Sequence, residues 1–202
     1  MKAIHLLLLV LIVPLVSFDK LNASLNDAER ARAIDYLKST ESGLYAAIKG
    51  LSEEQLNFKP DEESWSIAEC VEHIAISEQQ IFGLVDMSLK TEADPSKRGE
   101  VKMTDEQIFG FIVDRSSKVK TRPEFEPDNK YGSHKGALKE YKKLRKEHID
   151  YVKKTNDDLR NHYFEFPFGM TDAYQVIVFM AGHNKRHVLQ IEEIKAHADF
   201  PK

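Results

Sequence analysis

Cysteine is almost missing: Cys70 is the only one in 202 residues. That excludes an internal disulfide and any paired-cysteine redox or zinc-ribbon chemistry. Strand signals are scarce too, because short runs alternating apolar and polar residues hardly occur. No internal repeat and no low-complexity tract is visible. Neither sign of charge dominates: 29 Lys and Arg against 33 Asp and Glu give a net charge of −4. A mildly acidic chain gives no reason to expect nucleic acid or an anionic membrane as partner. What is present is an ordinary globular composition, 42% apolar and 31% charged. The length suits one domain with a substantial core.

The N-terminus differs from the rest. After Lys2 an apolar run extends from Ile4 to Val16, broken by His5 and Pro14. It falls short of the ~20 residues that cross a bilayer core of ~30 Å as a helix. A positive charge followed by a run of this length fits a secretory signal peptide. The expectation is a signal peptide over residues 1–23, a mature domain over 24–202 and an exported protein, periplasmic or extracellular. Ala23 and Ser17 are the candidate cleavage positions, although Leu21 is large for its place two before Ala23. If uncleaved, the run reads as a hydrophobic helix packed on a cytoplasmic domain. No cysteine follows it, so a lipoprotein anchor is excluded. Stable membrane insertion is not expected.

Helical spacing governs the remainder. A first helix is expected from Asp27 to Lys49, where Ala33, Leu37, Leu44 and Ile48 form a stripe ending at Gly50. The segment LSEEQLNFKPDEES then reads as a connector. A second helix is expected from about Ser66 to Lys90, with Glu69 three residues after Ser66 completing a capping-box pattern. Its stripe is Ile67, Val71, Ile74, Ile81 and Val85. Beside the stripe runs a mixed seam of Cys70, His73, Ser77, Gln80 and Leu84. A third helix is expected from Thr104 to about Lys120, a long loop over 121–136, a fourth helix from Ala137 to Asn161, and a fifth from Asp172 to His197. Four long amphipathic helices and one shorter one make an all-α bundle, whose core can assemble a metal or cofactor site from facing helices.

Three histidines stand out. His183 and His187, four residues apart, occupy positions on the last helix where spacing calls for Leu or Ile, between Val176, Met180 and Ile194. Side chains at i and i+4 share a helix face. His73, on another helix, can add a third imidazole. Three protein nitrogens leave a coordination position open, as catalytic metals require. The alternative is a set of core histidines bonded to carbonyls. The pair is not His-Glu-x-x-His, so the glutamate base of zinc peptidases is missing.

Glu69, one turn before His73, is the candidate general base or ligand-orienting carboxylate; its other reading is the capping box. Gln190 is a candidate hydrogen-bond partner of His187 or a solvated edge residue. Cys70 reads as small core filler and Trp65 as a packing anchor for the helix start. His134, His148, His162 and His197 read as ordinary solvated histidines.

The segments WSIAECVEH, DRSSKVKTRPEFEP and FGMTDAYQVIVFMAGHNKRHVLQIEEIK together resemble the DinB/YfiT-like superfamily. The likeness spans most of residues 27–197, with the LSEEQLNFKP connector included, and rests on several separated motifs in the right order. It implies a four-helix bundle with one short extra helix, holding a divalent metal through three histidines. The first of these follows a Trp-Ser/Thr-x-x-Glu motif, matching His73; a late His-x-x-x-His matches His183 and His187. Zinc and nickel are the implied metals, and imidazole ligands also suit iron and copper.

Hydrolysis of a small-molecule substrate is the first expected activity. Thiol-dependent S-transfer of the bacillithiol-transferase type is the enzymatic alternative, and a non-catalytic metal- or ligand-binding module the rival from another class. The apparent signal peptide departs from the family pattern and counts against thiol transfer, because small thiol cofactors are mainly cytoplasmic. A homodimer is a further expectation, though no sustained heptad seam specifies one.

Overall fold

The computed structural model describes residues 24–202 apart from Lys118, so the expected signal peptide lies outside the described residues. Each helix starts where a side chain can take up a backbone N–H left free by the first turn. α1 (Asp27–Ile48) begins at Asn26, which accepts from the Glu29 N–H at 2.9 Å while the Glu29 carboxylate accepts from the Asn26 N–H at 3.0 Å. The same reciprocal box precedes α2 (Glu53–Asn57) at Ser52 and Gln55, and α3 (Ile67–Ser88) at Ser66 and Glu69. It precedes α4 (Asp105–Val113) at Thr104 and Gln107. Ser133 caps α5 (His134–Lys154), and Asp172 caps α6 (Ala173–Lys195).

α6 packs against α1 and α3, and α5 packs against the same two helices. α1 and α3 therefore stand diagonally opposed, as do α5 and α6. α4 is the short extra helix and lies along α6. The bundle is the expected all-α architecture.

Its core has two apolar halves. One gathers Leu37, Ile81, Val152 and Ile177; the other gathers Leu44, Ile67, Val71 and Ile191. Each fully buried Leu or Ile contributes about 1.5–3 kcal/mol. Between the halves, on each of α1, α3, α5 and α6, sits a polar residue: Thr40, Glu78, Arg145 and Asn184, all buried. Arg145 donates to both Glu78 oxygens at 2.8 and 2.6 Å, to the Leu37 carbonyl at 2.8 Å and to Thr40 Oγ1 at 3.0 Å. His148 Nδ1–H donates to Glu78 at 2.9 Å and its ring stacks on Phe82. The three bundle helices that meet here are thereby held in one axial register.

Several boundaries differ from the sequence expectation. α4 stops at Val113, not Lys120, because Asp114 turns the chain by accepting from the Ser116 N–H at 2.8 Å. α5 starts three residues earlier than Ala137 and ends at Lys154 instead of Asn161. There Thr155 and Asp157 close a turn through a 2.6 Å hydrogen bond. The connector after α1 contains α2, and short 3-10 turns occupy Pro95–Glu100 and Pro123–Phe125.

A two-stranded hairpin, β1 (Tyr163–Phe166) with β2 (Gly169–Asp172), precedes α6. Gly169, at φ 127°, makes the hairpin's return. Among the described residues, no helix is long and apolar enough to cross a membrane.

Candidate metal centre

Each ring of the histidine triad is placed by a different local rule. His73 lies near the start of α3, seven residues on from the Ser66 cap. His183 and His187 lie one turn apart on α6. At Gly182, next to His183, α4 makes its closest approach: a Cβ there would meet Ile112 Cγ2 at 2.1 Å and the Phe109 carbonyl at 3.4 Å. Only glycine lets α4 lie this close, so α4 sets the surroundings of the ligand helix. Arg186 ties the chain beyond α4 to α6 as well, donating to the carbonyls of Ile112, Asp114 and Ser117. Arg115 adds a two-pronged pair with Glu193 at 2.7 and 2.6 Å.

The three rings converge on their Nε2 atoms. His73 Nε2 and His187 Nε2 each lie 3.3 Å from His183 Nε2, and the three ligand atoms all fall within 4.8 Å of one another. Nitrogens bound at ~2.0–2.1 Å with tetrahedral angles are about 3.3 Å apart, so the spacing fits one small cation.

The outer nitrogens are tied down. His73 Nδ1–H donates to the Phe125 carbonyl at 2.7 Å, and His187 Nδ1–H donates to Gln190 Oε1 at 2.9 Å. Carbonyl oxygens only accept, so both protons sit on Nδ1 and both Nε2 atoms present bare lone pairs. A proton on His183 Nε2 can serve one of these lone pairs, whereas a cation between the rings would be faced by all three nitrogens. The donor set thus fits a divalent metal.

Burial reinforces this protonation state. His73 and His187 are buried and His183 is partly exposed. Burial lowers His73 to about 4, against the opposing pull of its Phe125 bond. It takes His183 and His187 well below the ordinary imidazole range, and the neighbouring rings lower both further. Neutral imidazoles are the form that binds metals. Trp65 covers the cluster, its ring centroid 4.7 Å from that of His73 and 6.1 Å from that of His187. Phe179 stacks beside His183 at 6.2 Å.

The other residues singled out from sequence fall as follows. Gln190 is the hydrogen-bond partner of His187. Both Glu69 oxygens are engaged: one accepts from the Ser66 N–H at 2.7 Å, and the other pairs with Lys59 at 2.7 Å. Burial raises the Glu69 pKa, and the Lys59 and Ser66 bonds more than offset that, leaving it lowered. Cys70 is buried in the apolar half around Ile67 and Val71, and burial pushes its thiol up to about 12.

Two expectations are corrected. His148 and His162 are buried, not solvated: Glu78 takes the first and the Ser88 carbonyl accepts from the second at 3.0 Å. Sequence reasoning did not reach the Phe125 carbonyl, since a backbone oxygen leaves no side-chain signature. It did place Ser77 on the histidine seam, and Ser77 Oγ lies 3.4 Å from His73 Nε2.

Fold and site together define a helical bundle with a three-imidazole centre fitted to a divalent cation. The chain belongs to the DinB superfamily, whose family model matches residues 36–191. It is 29% identical over 150 residues to the uncharacterized protein YuaE of Bacillus subtilis (strain 168), covering 73% of this chain and 88% of that one. It also shares its fold with YfiT from Bacillus subtilis, described as a probable metal-dependent hydrolase with an unusual four-helix bundle topology. The TM-score is 0.57 at 15% identity, over 88% of this chain and 92% of that one.

Proposed function

We propose that this protein is a metal-dependent hydrolase of a small molecule, with His73, His183 and His187 as ligands. One observation carries the reading: the Nε2 atoms of His73 and His187 each lie 3.3 Å from His183 Nε2 while the Nδ1 protons of His73 and His187 are held elsewhere. A divalent cation held there would supply Lewis acidity toward a carbonyl and lower the pKa of a water or thiol. Structural sites are normally closed by a fourth protein ligand of the Cys or His type. Among the described residues no Cys, Asp or Glu joins the three imidazoles.

The chain's own residues prepare the site. The Phe125 carbonyl and Gln190 Oε1 fix two ring tautomers before any ligand arrives, and Trp65 and Phe179 pack against the rings to keep that side dry. His183 is the partly exposed member of the three. Glu69 acts as a positioning residue: it caps α3 and so fixes the helix turn that carries His73. The fit of YfiT's description to the same fold supports the hydrolase reading.

Metal analysis of natively purified protein, wild type against His183→Ala, tests it. Stoichiometric metal in the wild type, lost in a folded variant, is expected. Panels of esters, amides and epoxides, with and without added thiol, then assign the reaction. Turnover only with thiol would replace hydrolysis by S-transfer, and a metal-free wild type would remove the enzyme reading.

A further inference from the structure

Ser77 is one helical turn beyond His73 on α3 and almost wholly buried. Three other hydroxyls inside helices of this chain bond backward to a carbonyl of the preceding turn. Thr40 donates to Tyr36 O at 2.8 Å, Ser88 to Val85 O at 2.8 Å and Ser39 to Tyr36 O at 3.2 Å. Such back-bonding is the common local solution for Ser and Thr. Ser77 departs from it: among the described residues its hydrogen-bonding neighbour is His73 Nε2 at 3.4 Å.

That separation is long for a hydroxyl donating to an imidazole nitrogen, where about 2.7–3.0 Å is usual. It matches instead the 3.3 Å spacing between the ring nitrogens themselves. The hydroxyl therefore lies against Nε2, the one nitrogen of His73 that faces the other rings of the cluster.

We propose that Ser77 is a fourth protein group of this centre, its hydroxyl directed at the cation that His73, His183 and His187 would hold. This rests on the three-histidine reading above. A neutral hydroxyl is a weak donor beside three imidazoles, so it leaves a position exchangeable where a fourth Cys or His would close the site. The role is one of positioning and of tuning metal affinity.

Cobalt(II), added alone to apoprotein, is the probe, because its visible spectrum reports donor type and number. Ser77→Ala is expected to bind cobalt about 10-fold more weakly, as loss of a supporting group at metal sites does, with Ser77→Thr restoring affinity. Ser77→Cys is expected to show an intense near-ultraviolet thiolate-to-cobalt band that wild type lacks. Circular dichroism establishes that each variant is folded, and His162→Ala, remote from the cluster, supplies the control for general loosening of the bundle. A folded Ser77→Cys protein that binds cobalt without the new band overturns the proposal, as does wild-type affinity in Ser77→Ala. Wild type that binds no cobalt overturns the three-histidine reading itself, and the Ser77 role with it.

Discussion

Trp65, the only tryptophan in the chain, rests against the imidazole of His73 with ring centroids 4.7 Å apart. The residue ahead of α3 thus serves as a built-in reporter of the histidine cluster. Nickel(II) or copper(II) bound by the three rings would lie within contact range of the indole and quench its fluorescence. Titration of apoprotein is expected to give a saturable quench of more than half the signal, abolished in His73→Ala. Zinc(II), which has no partly filled d shell, should compete with the quench without causing one.

Glu69 separates two chemical roles cleanly. Glutamine at the third helical position still accepts from the Ser66 N–H, but it cannot take a proton. If Glu69 acts by capping, Glu69→Gln keeps metal affinity and turnover within about 3-fold, while Glu69→Ala lowers stability by about 0.5–2 kcal/mol, the range for lost caps. General-base catalysis would instead cost 100-fold or more in kcat for Glu69→Gln. Steady-state kinetics with thermal melts of both variants decide between them.

Gly182 is a packing requirement of the ligand helix. Adding one methyl there puts it 2.1 Å from Ile112 Cγ2, and overpacking of this kind costs about 1–3 kcal/mol. Gly182→Ala is expected to lower the melting temperature and weaken metal binding, because His183 is the next residue. Cutting back the opposing side chain in a Gly182→Ala, Ile112→Ala double variant should recover most of the metal affinity.

The Glu78–Arg145 pair predicts a distinct acid response. Burial alone would raise the Glu78 pKa, but Arg145 and His148 overcome it and hold the carboxyl below its ordinary range. A carboxylate with a depressed folded pKa adds stability above its unfolded pKa, ~4.3, and loses it as pH falls through the folded value. Glu78→Gln leaves a buried guanidinium without its counter-charge and is expected to cost about 3–5 kcal/mol near neutrality. Urea melts from pH 7 downward should show the gap between wild type and variant narrowing only below about pH 4.3. A constant gap down to pH 3 would remove the ionised pair from the account.

The His183–His187 pair was legible in the sequence because helical spacing sets which side chains share a face, and both stand where an apolar residue belongs; His73, 110 residues away from His183, was joined to them through the likeness to the DinB/YfiT-like superfamily. The capping box at Ser66 was legible as well, since its chemistry is local. Partners distant in sequence were not. His148 looks solvated among charged neighbours, yet its acceptor is Glu78, 70 residues away. The hairpin escaped notice because each strand is four residues long, too short for alternation to stand out. Arg145 sits in a strongly charged stretch, and nothing local distinguishes a guanidinium that will be buried from one that will be solvated.

The 2.7 Å bond from His73 Nδ1–H to the Phe125 carbonyl joins a residue of the centre to the segment between α4 and α5. Occupancy and segment order are then reciprocal quantities, each biasing the other by the same free energy. An ion that steadies the imidazole also steadies that stretch of backbone, and a molecule that pulls the stretch away must weaken the grip on the ion. Protease nicking between Arg122 and Lys130 would therefore slow as metal is added, reading out the centre from a distance.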